Sequence, residues 1–201
     1  MLYDIQNSEN REIKMKIPRT GRIGRFAKII EKEVDQEALQ RIMQDSDIYE
    51  SFKPDKKAAW WKSAVERLEK EVGERESIKI MQACGRKCCS EGHRKIAKRL
   101  MSESNSIQEF LEKVNKYRVK EGEIDYKLKD EKTIIGHFYR CFCGQVKQAK
   151  TPFQNRIYCH CSAEFHKQFF EAALGKKVKV EILQTIIIGA KSCEFIIHIN
   201  N

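Results

Sequence analysis

Val178-Lys179-Val180-Glu181-Ile182, the run Ile186-Ile187-Ile188, the turn Gly189-Ala190-Lys191-Ser192 and the segment Cys193-Glu194-Phe195-Ile196-Ile197-His198-Ile199 decide the fold class. Val178, Val180 and Ile182 alternate with Lys179 and Glu181, the period-two pattern of a strand with one face in water. The spacing predicts that this strand continues to Ile188, reverses through the glycine turn and pairs with residues 193–199. Ile187 and Ile196 make both faces apolar near the turn, so helices are expected over part of the second side. Just upstream, Ser162 is placed to cap a helix whose Phe165, Phe169, Ala172 and Ala173 share a side and which Gly175 ends.

Further upstream the pattern is helical. Ile29, Ile30 and Val34 recur at three- and four-residue steps from Phe26 onward, and Asp35 caps a second helix carrying Ala38, Leu39, Ile42 and Met43. With Pro54 before it, Asp55 reads as the N-cap of a helix bearing Ala58, Trp61, Val65, Leu68 and Val72, which Gly73 stops. Of the adjacent Trp60 and Trp61, one is expected to pack inward and the other to border a groove. A helix from about Arg75 to Cys89 follows, then another through Ile96, Ala97, Leu100 and Met101. Ser106 and Glu109 form a capping box that opens Ile107 to Tyr117.

After the charged turn Lys120-Glu121-Gly122-Glu123, residues 133–143 are β-branched and aromatic and predict a strand, and residues 144–156 read as a loop. The expected architecture is α+β: short N-terminal helices packed on a small twisted antiparallel sheet, with a further helix before the C-terminal β-hairpin. In domain terms this is an irregular arm over 1–25, a helical part over 26–120 and an α+β part over 121–201, forming one unit.

At 201 residues the chain can bury a core without staples. No positively charged segment followed by an apolar run opens it, and its longest aliphatic string is too short for a bilayer, so a soluble, cytoplasmic protein with no membrane partner is expected. Its formal charge of +10 is unevenly spread: residues 51–100 carry 14 Lys and Arg against 7 Asp and Glu, and residues 1–50 carry 9 against 10. Because the basic residues are interleaved with acids such as Glu66, Glu69 and Glu76, the pattern is that of solvated helix faces more than a nucleic-acid surface.

The 8 cysteines are the strongest chemical signal. In a reducing compartment, metal binding or thiol chemistry outranks a disulfide framework. Cys84 and Cys88, four apart on a predicted helix, share a face, and Cys89 points about 100° away. Cys141 and Cys143, two apart on a predicted strand, are expected on one side, and Cys159 and Cys161 repeat that spacing before a helix, where the dipole favours thiolates. The two i,i+2 pairs together would supply four sulfurs for a tetrahedral ion, and Cys84 with Cys88 competes for places in that set. Zinc is the default, with an iron–sulfur cluster second. A reactive thiol site and buried structural thiols without metal stand as alternatives, and Cys193 reads as a core thiol. Catalytic candidates are Cys161, Cys89 and His166, the last one turn into the final helix and available as ligand or base. No Gly-x-Ser-x-Gly, His-Glu-x-x-His or phosphate-loop motif is present.

Ile80-Met81-Gln82-Ala83-Cys84-Gly85-Arg86-Lys87-Cys88-Cys89, Arg140-Cys141-Phe142-Cys143 and Tyr158-Cys159-His160-Cys161-Ser162 together resemble the signature of an uncharacterised cysteine-rich family of bacteria and archaea. Phe169 to Val180 with Ile188 to Phe195 also resembles 4-vinyl reductase-type small-molecule-binding domains and L-2-amino-thiazoline-4-carboxylic acid hydrolase-like proteins. That resemblance implies helices on a twisted antiparallel sheet around a ligand cavity. It also implies metal cysteines at Cys159 or Cys161 and at Cys193, with Gln184-Thr185 standing where that pattern often has another cysteine. The resulting expectation is a small-molecule-binding protein with a cysteine-held metal, zinc first. Its alternatives are a thiol- or metal-dependent hydrolase of a small anionic or sulfur-containing compound, and a nucleic-acid binder. A homodimer is left open.

Overall fold

The computed structural model describes residues 16–117 and 119–200; most of the stretch expected as an irregular arm, residues 1–15, lies outside them. The fold is α+β. Helices α1 (Gly21–Ile30), α2 (Gln36–Ile42), α3 (Pro54–Cys88), α4 (Glu91–Ser102) and α5 (Ile107–Lys116) precede strands β1 (Ile124–Asp130) and β2 (Thr133–Phe138). Helix α6 (His160–Leu174) and strands β3 (Val178–Gln184) and β4 (Cys193–Ile199) complete the described chain. The sheet is antiparallel throughout, in the order β1-β2-β4-β3. No described helix is long and apolar enough to cross a membrane.

Local chemistry accounts for most boundaries. Asp35 accepts the Ala38 N–H at 2.8 Å and starts α2 as expected. Pro54 opens α3 itself, Lys53 being the N-cap, so Asp55 lies inside the first turn. Gly73 breaks α3 with φ 76° and ψ 167°, a left-handed φ that a β-carbon disfavours, and the helical path resumes beyond it to Cys88. At α5 the capping box is half made: Ser106 accepts the Glu109 N–H, whereas the Glu109 carboxylate turns to the Asn105 N–H. Ser90 caps α4 with a full reciprocal box to His93.

The second half differs from expectation at four places. Strand β1 was not foreseen, although Ile124, Tyr126 and Leu128 alternate with Asp125, Lys127 and Lys129; the many charges of this edge strand mask its period. Strand β2 ends at Phe138, so Cys141 and Cys143 sit on irregular backbone and not on a strand. Strand β3 ends at Gln184, and Ile186–Ile188 form a 3-10 turn before β4. Helix α6 starts at His160, which leaves Ser162 inside its first turn and not at its cap.

One core joins the helical and α+β parts. Helix α6 lies between α3 and α4 on one side and β3 on the other, while α5 packs on β1. Phe170, Phe195, Ile134 and Ile197 are almost wholly buried along this seam, each contributing roughly 1.5–3 kcal/mol of transfer free energy. Both tryptophans are buried, contrary to the expected split: Trp61 donates to the Tyr49 hydroxyl at 2.9 Å and Trp60 to the Gln44 carbonyl at 2.7 Å. The far face of the sheet, with Ile135, His137, Ile196 and His198, stays half-exposed, so the expected second helical cover is not seen there.

The α3–α6 crossing is tight. A β-carbon on Gly85 would stand 2.4 Å from the Cys161 carbonyl oxygen and 2.8 Å from Glu164 Cβ. Gly85→Ala is therefore expected to lower stability by about 1–3 kcal/mol in urea unfolding. Gly144→Ala, which meets nothing within 4 Å, should change it by less than about 0.5 kcal/mol.

Candidate functional site

The tight crossing sorts the cysteines into two sets. On the α3 side, Arg22 reaches from α1 into a group formed by Cys84, Cys88, Cys143 and Cys161, close enough that the acid charges of Cys161, Cys143 and Cys88 act on its guanidinium. Arg22 Nη2 donates to Cys161 Sγ at 3.4 Å and its guanidinium stands 6.0 Å from the Tyr158 ring centroid. The Tyr158 hydroxyl lies 3.1 Å from Cys143 Sγ. On the sheet side, Cys141, Cys159 and Cys193 act on one another beside Thr185, and the Ile186 N–H donates to Cys193 Sγ at 3.3 Å. Thr185 works to hold the Cys159 thiol down, although its buried Oγ1 closes no hydrogen bond of normal length.

Each i,i+2 pair has one member in each set, yet its members still act on one another, Cys161 on Cys159 and Cys143 on Cys141. Cys141 and Cys143 lack the strand geometry that would keep them on one side. Cys159 ends a 3-10 turn while Cys161 belongs to α6, so the two are set by different backbone geometries. Cys84 and Cys88 act on one another from the same helix. Cys89 stands apart, near Arg94 and Glu164. Among the described residues, no three His, Cys, Asp or Glu side chains are grouped tightly enough to hold a metal as they stand. The eight thiols are all free.

Burial dominates the acidity of six of them. It pushes Cys84 up to about 12 and Cys141 up to about 11, and raises Cys161 and Cys159 further; the Arg22 charge opposes the rise at Cys84 and Cys161. Cys193 and Cys89 are raised for the same reason. Burial also works against the Arg22 charge, but the acids around it, Tyr158 first, more than offset that and hold it above its ordinary value. The two tendencies conflict, because those acids support Arg22 only when ionised, and burial keeps Tyr158 and Cys161 protonated. A guanidinium does not deprotonate in proteins, so the charge on Arg22 is the fixed point.

His166 is not joined to any cysteine. It lies on another face of α6 at the floor of a cavity of about 350 Å³, lined by aromatic and aliphatic side chains including Phe138, Phe142, Phe165 and Phe169. Its Nδ1 is 3.0 Å from the Tyr126 hydroxyl and its Nε2 is 3.3 Å from Ser162 Oγ. Tyr126 reaches it because Gly136 faces Tyr126 in the β1–β2 register; a β-carbon there would come within 2.6 Å of the Tyr126 ring. Burial alone brings His166 down to about 3 and raises Tyr126, so the chain of three groups is neutral. Tyr126, Gly136 and Arg22 were not recognised from sequence. The alternation of β1 would have found Tyr126, whereas Arg22 sits in a stretch with no period.

An α+β protein with a cavity at its helix–sheet seam is the class these features define. The chain belongs to the family described as "Family of unknown function (DUF6144)", matched over residues 22–201. No curated protein matches it. Among solved structures, it is similar to a trafficking protein particle complex subunit 3 from Naegleria fowleri covalently bound to palmitic acid. That likeness has 14% identity and a TM-score of 0.45, over 74% of this chain and 95% of that one. It is also similar to an H-NOX protein from S. oneidensis in the Fe(II)NO ligation state, with 12% identity and a TM-score of 0.43, over 89% of this chain and 99% of that one. Neither the 4-vinyl reductase-type domains nor the thiazoline-carboxylate hydrolases are among these matches.

The neutral His166 makes a pH prediction. Unfolded, its imidazole titrates near 6.5; folded, near 3, so between those values the unfolded chain binds the extra proton. The associated stability is complete above the unfolded value and is lost as the pH falls toward the folded one. In urea titrations between about pH 6 and 4, His166→Asn should flatten the pH dependence by roughly 1 kcal/mol per pH unit relative to the parent. Equal slopes would mean that the imidazole is solvated.

Proposed function

We propose that this chain is a small-molecule-binding protein whose ligand is a compact, largely apolar compound carrying one hydrogen-bond acceptor. One observation carries the reading: Tyr126, His166 and Ser162 hold three exchangeable protons between them and make two hydrogen bonds. If Tyr126 donates to His166 and His166 to Ser162, the Ser162 hydroxyl proton is left over; in the reverse direction the Tyr126 proton is left over. Both hydroxyls line the cavity, so either arrangement offers one O–H to a guest. Apart from His93 and Tyr117 the rest of the lining is apolar, as in sites where few polar groups orient a ligand held by contact area.

The alternative of hydrolysis gains less support. A Ser162–His166 pair resembles a nucleophile and its base, but an imidazole held near 3 is a weak base at neutral pH. Neither Cys161 nor Cys89, the candidate thiol nucleophiles, has His166 as a hydrogen-bond partner. The expected cysteine-held metal would stand on a different face of α6, so ligand uptake does not depend on it.

Acetophenone and its deoxygenated analogue ethylbenzene provide the test, followed by calorimetry on the full chain. The ketone is expected to bind about 10-fold tighter, the worth of one neutral hydrogen bond. Tyr126→Phe combined with Ser162→Ala should erase that preference while leaving hydrocarbon binding, and Ile96→Trp, which fills the cavity, should abolish both. Failure of either probe to bind, or equal affinities in the parent, overturns the reading.

A further inference from the structure

We propose that Cys84, Cys88, Cys143 and Cys161 are the ligands of a tetrathiolate metal centre with Zn²⁺ as its ion, and that Arg22 and Tyr158 balance its charge. This centre is separate from the cavity and stands or falls independently of it.

The first argument is electrostatic. Arg22 is half-buried beside a surface cavity, and among the described residues no carboxylate lies within ion-pair distance of it; its contacts are a thiol and an aromatic ring. Withdrawing even part of a guanidinium from water without an anion is unfavourable. Four neutral thiols do not repay that cost. Four thiolates around a divalent ion carry a net charge of two minus, and a neighbouring guanidinium is the complement such a centre requires.

The second argument is directional. Metal-bound thiolates are oriented and stabilised by N–H and O–H donors around them. Two such donors are in place here, on two different members of the set: Arg22 Nη2 on Cys161 at 3.4 Å and the Tyr158 hydroxyl at 3.1 Å from Cys143. The Tyr158 ring is fixed by Trp61 and Phe153, with ring centroids 5.5 Å and 5.8 Å away, so its hydroxyl is held on that sulfur by packing.

The third argument is the choice of elements. Cys84 and Cys88 come from the last turns of α3, Cys161 from the first turn of α6 and Cys143 from the irregular segment after β2. A closed structural site takes four ligands in this way, and thiolates select zinc over harder ions. The sulfurs are not yet at coordination spacing, so binding has to draw them together. Cys143 is the one member outside the helices. Uptake releases the thiol protons to solvent and forms four sulfur–metal bonds, with no oxidant or reductant involved.

The experiment uses the reduced full chain with Zn²⁺ and with Co²⁺ as a spectroscopic probe. One Zn²⁺ per chain is expected, Co²⁺ should develop thiolate charge-transfer absorption, and Zn²⁺ should shield Cys84, Cys88, Cys143 and Cys161 from N-ethylmaleimide in peptide mapping. Cys141 and Cys193 should react equally with and without the ion. Serine substitution at any of the four should weaken binding, Arg22→Gln should weaken it by about 10-fold or more, and Cys141→Ser should leave it unchanged. The mapping is done on the parent protein, so it decides even where a variant misfolds. No metal uptake at micromolar Zn²⁺, or shielding of Cys141, Cys159 and Cys193 instead, overturns the assignment.

Discussion

The close approach of α3 to α6 at Gly85 is the constraint on which the remaining geometry depends. Only a residue without a β-carbon lets the backbone of Cys161 sit against the α3 helix, and that contact fixes the rotation of α6 about its own axis. Once that rotation is set, successive residues of α6 have no choice of surroundings. Cys161 meets Arg22 and the α3 thiols, Ser162 and His166 meet the cavity, and Phe170 meets the core. One glycine therefore positions two chemically different sites.

The two sites answer to opposite electrostatic rules. Around His166 everything is neutral, because an apolar floor with no opposite charge drives the imidazole to give up its proton. Around Arg22 neutrality is unavailable, since a guanidinium keeps its proton whatever surrounds it. The surroundings must then supply negative charge, and the described groups able to do so are acids that burial holds protonated. The first site can be complete without a guest. The second has a charge that its described neighbours, taken alone, do not balance.

How much of this was readable from residues follows the same division. The C-terminal hairpin, the glycine turn and the amphipathic face of α6 are carried by local patterns of period two and 3.6, and they appear where those patterns put them, except that Ile186–Ile188 leave the strand for a 3-10 turn. The pairing of thiols is not local. Spacing of i,i+2 implies a common side only within an extended strand, and the backbone leaves β2 at Phe138, before Cys141 is reached. Tyr126 could have been found from the alternation of β1 had its charges been read as those of an edge strand. Arg22 could not, because its meaning comes from residues distant in sequence, Cys88 and Cys161 among them.

The helix that joins the sites also limits how they can influence one another. Cys161 and Ser162 are adjacent, so a shift of the α6 start toward the α3 thiols would move Ser162 relative to His166 one turn further on. The 3.3 Å separation between those two is near the long end of a hydrogen bond, so a small shift at the helix start is enough to make or weaken it. Tyr126 would be unaffected, because its position is set by the β1–β2 register opposite Gly136 and not by α6. A change at the thiols would thus reach the cavity through its serine end alone, altering which hydroxyl carries the spare proton while leaving the apolar walls in place.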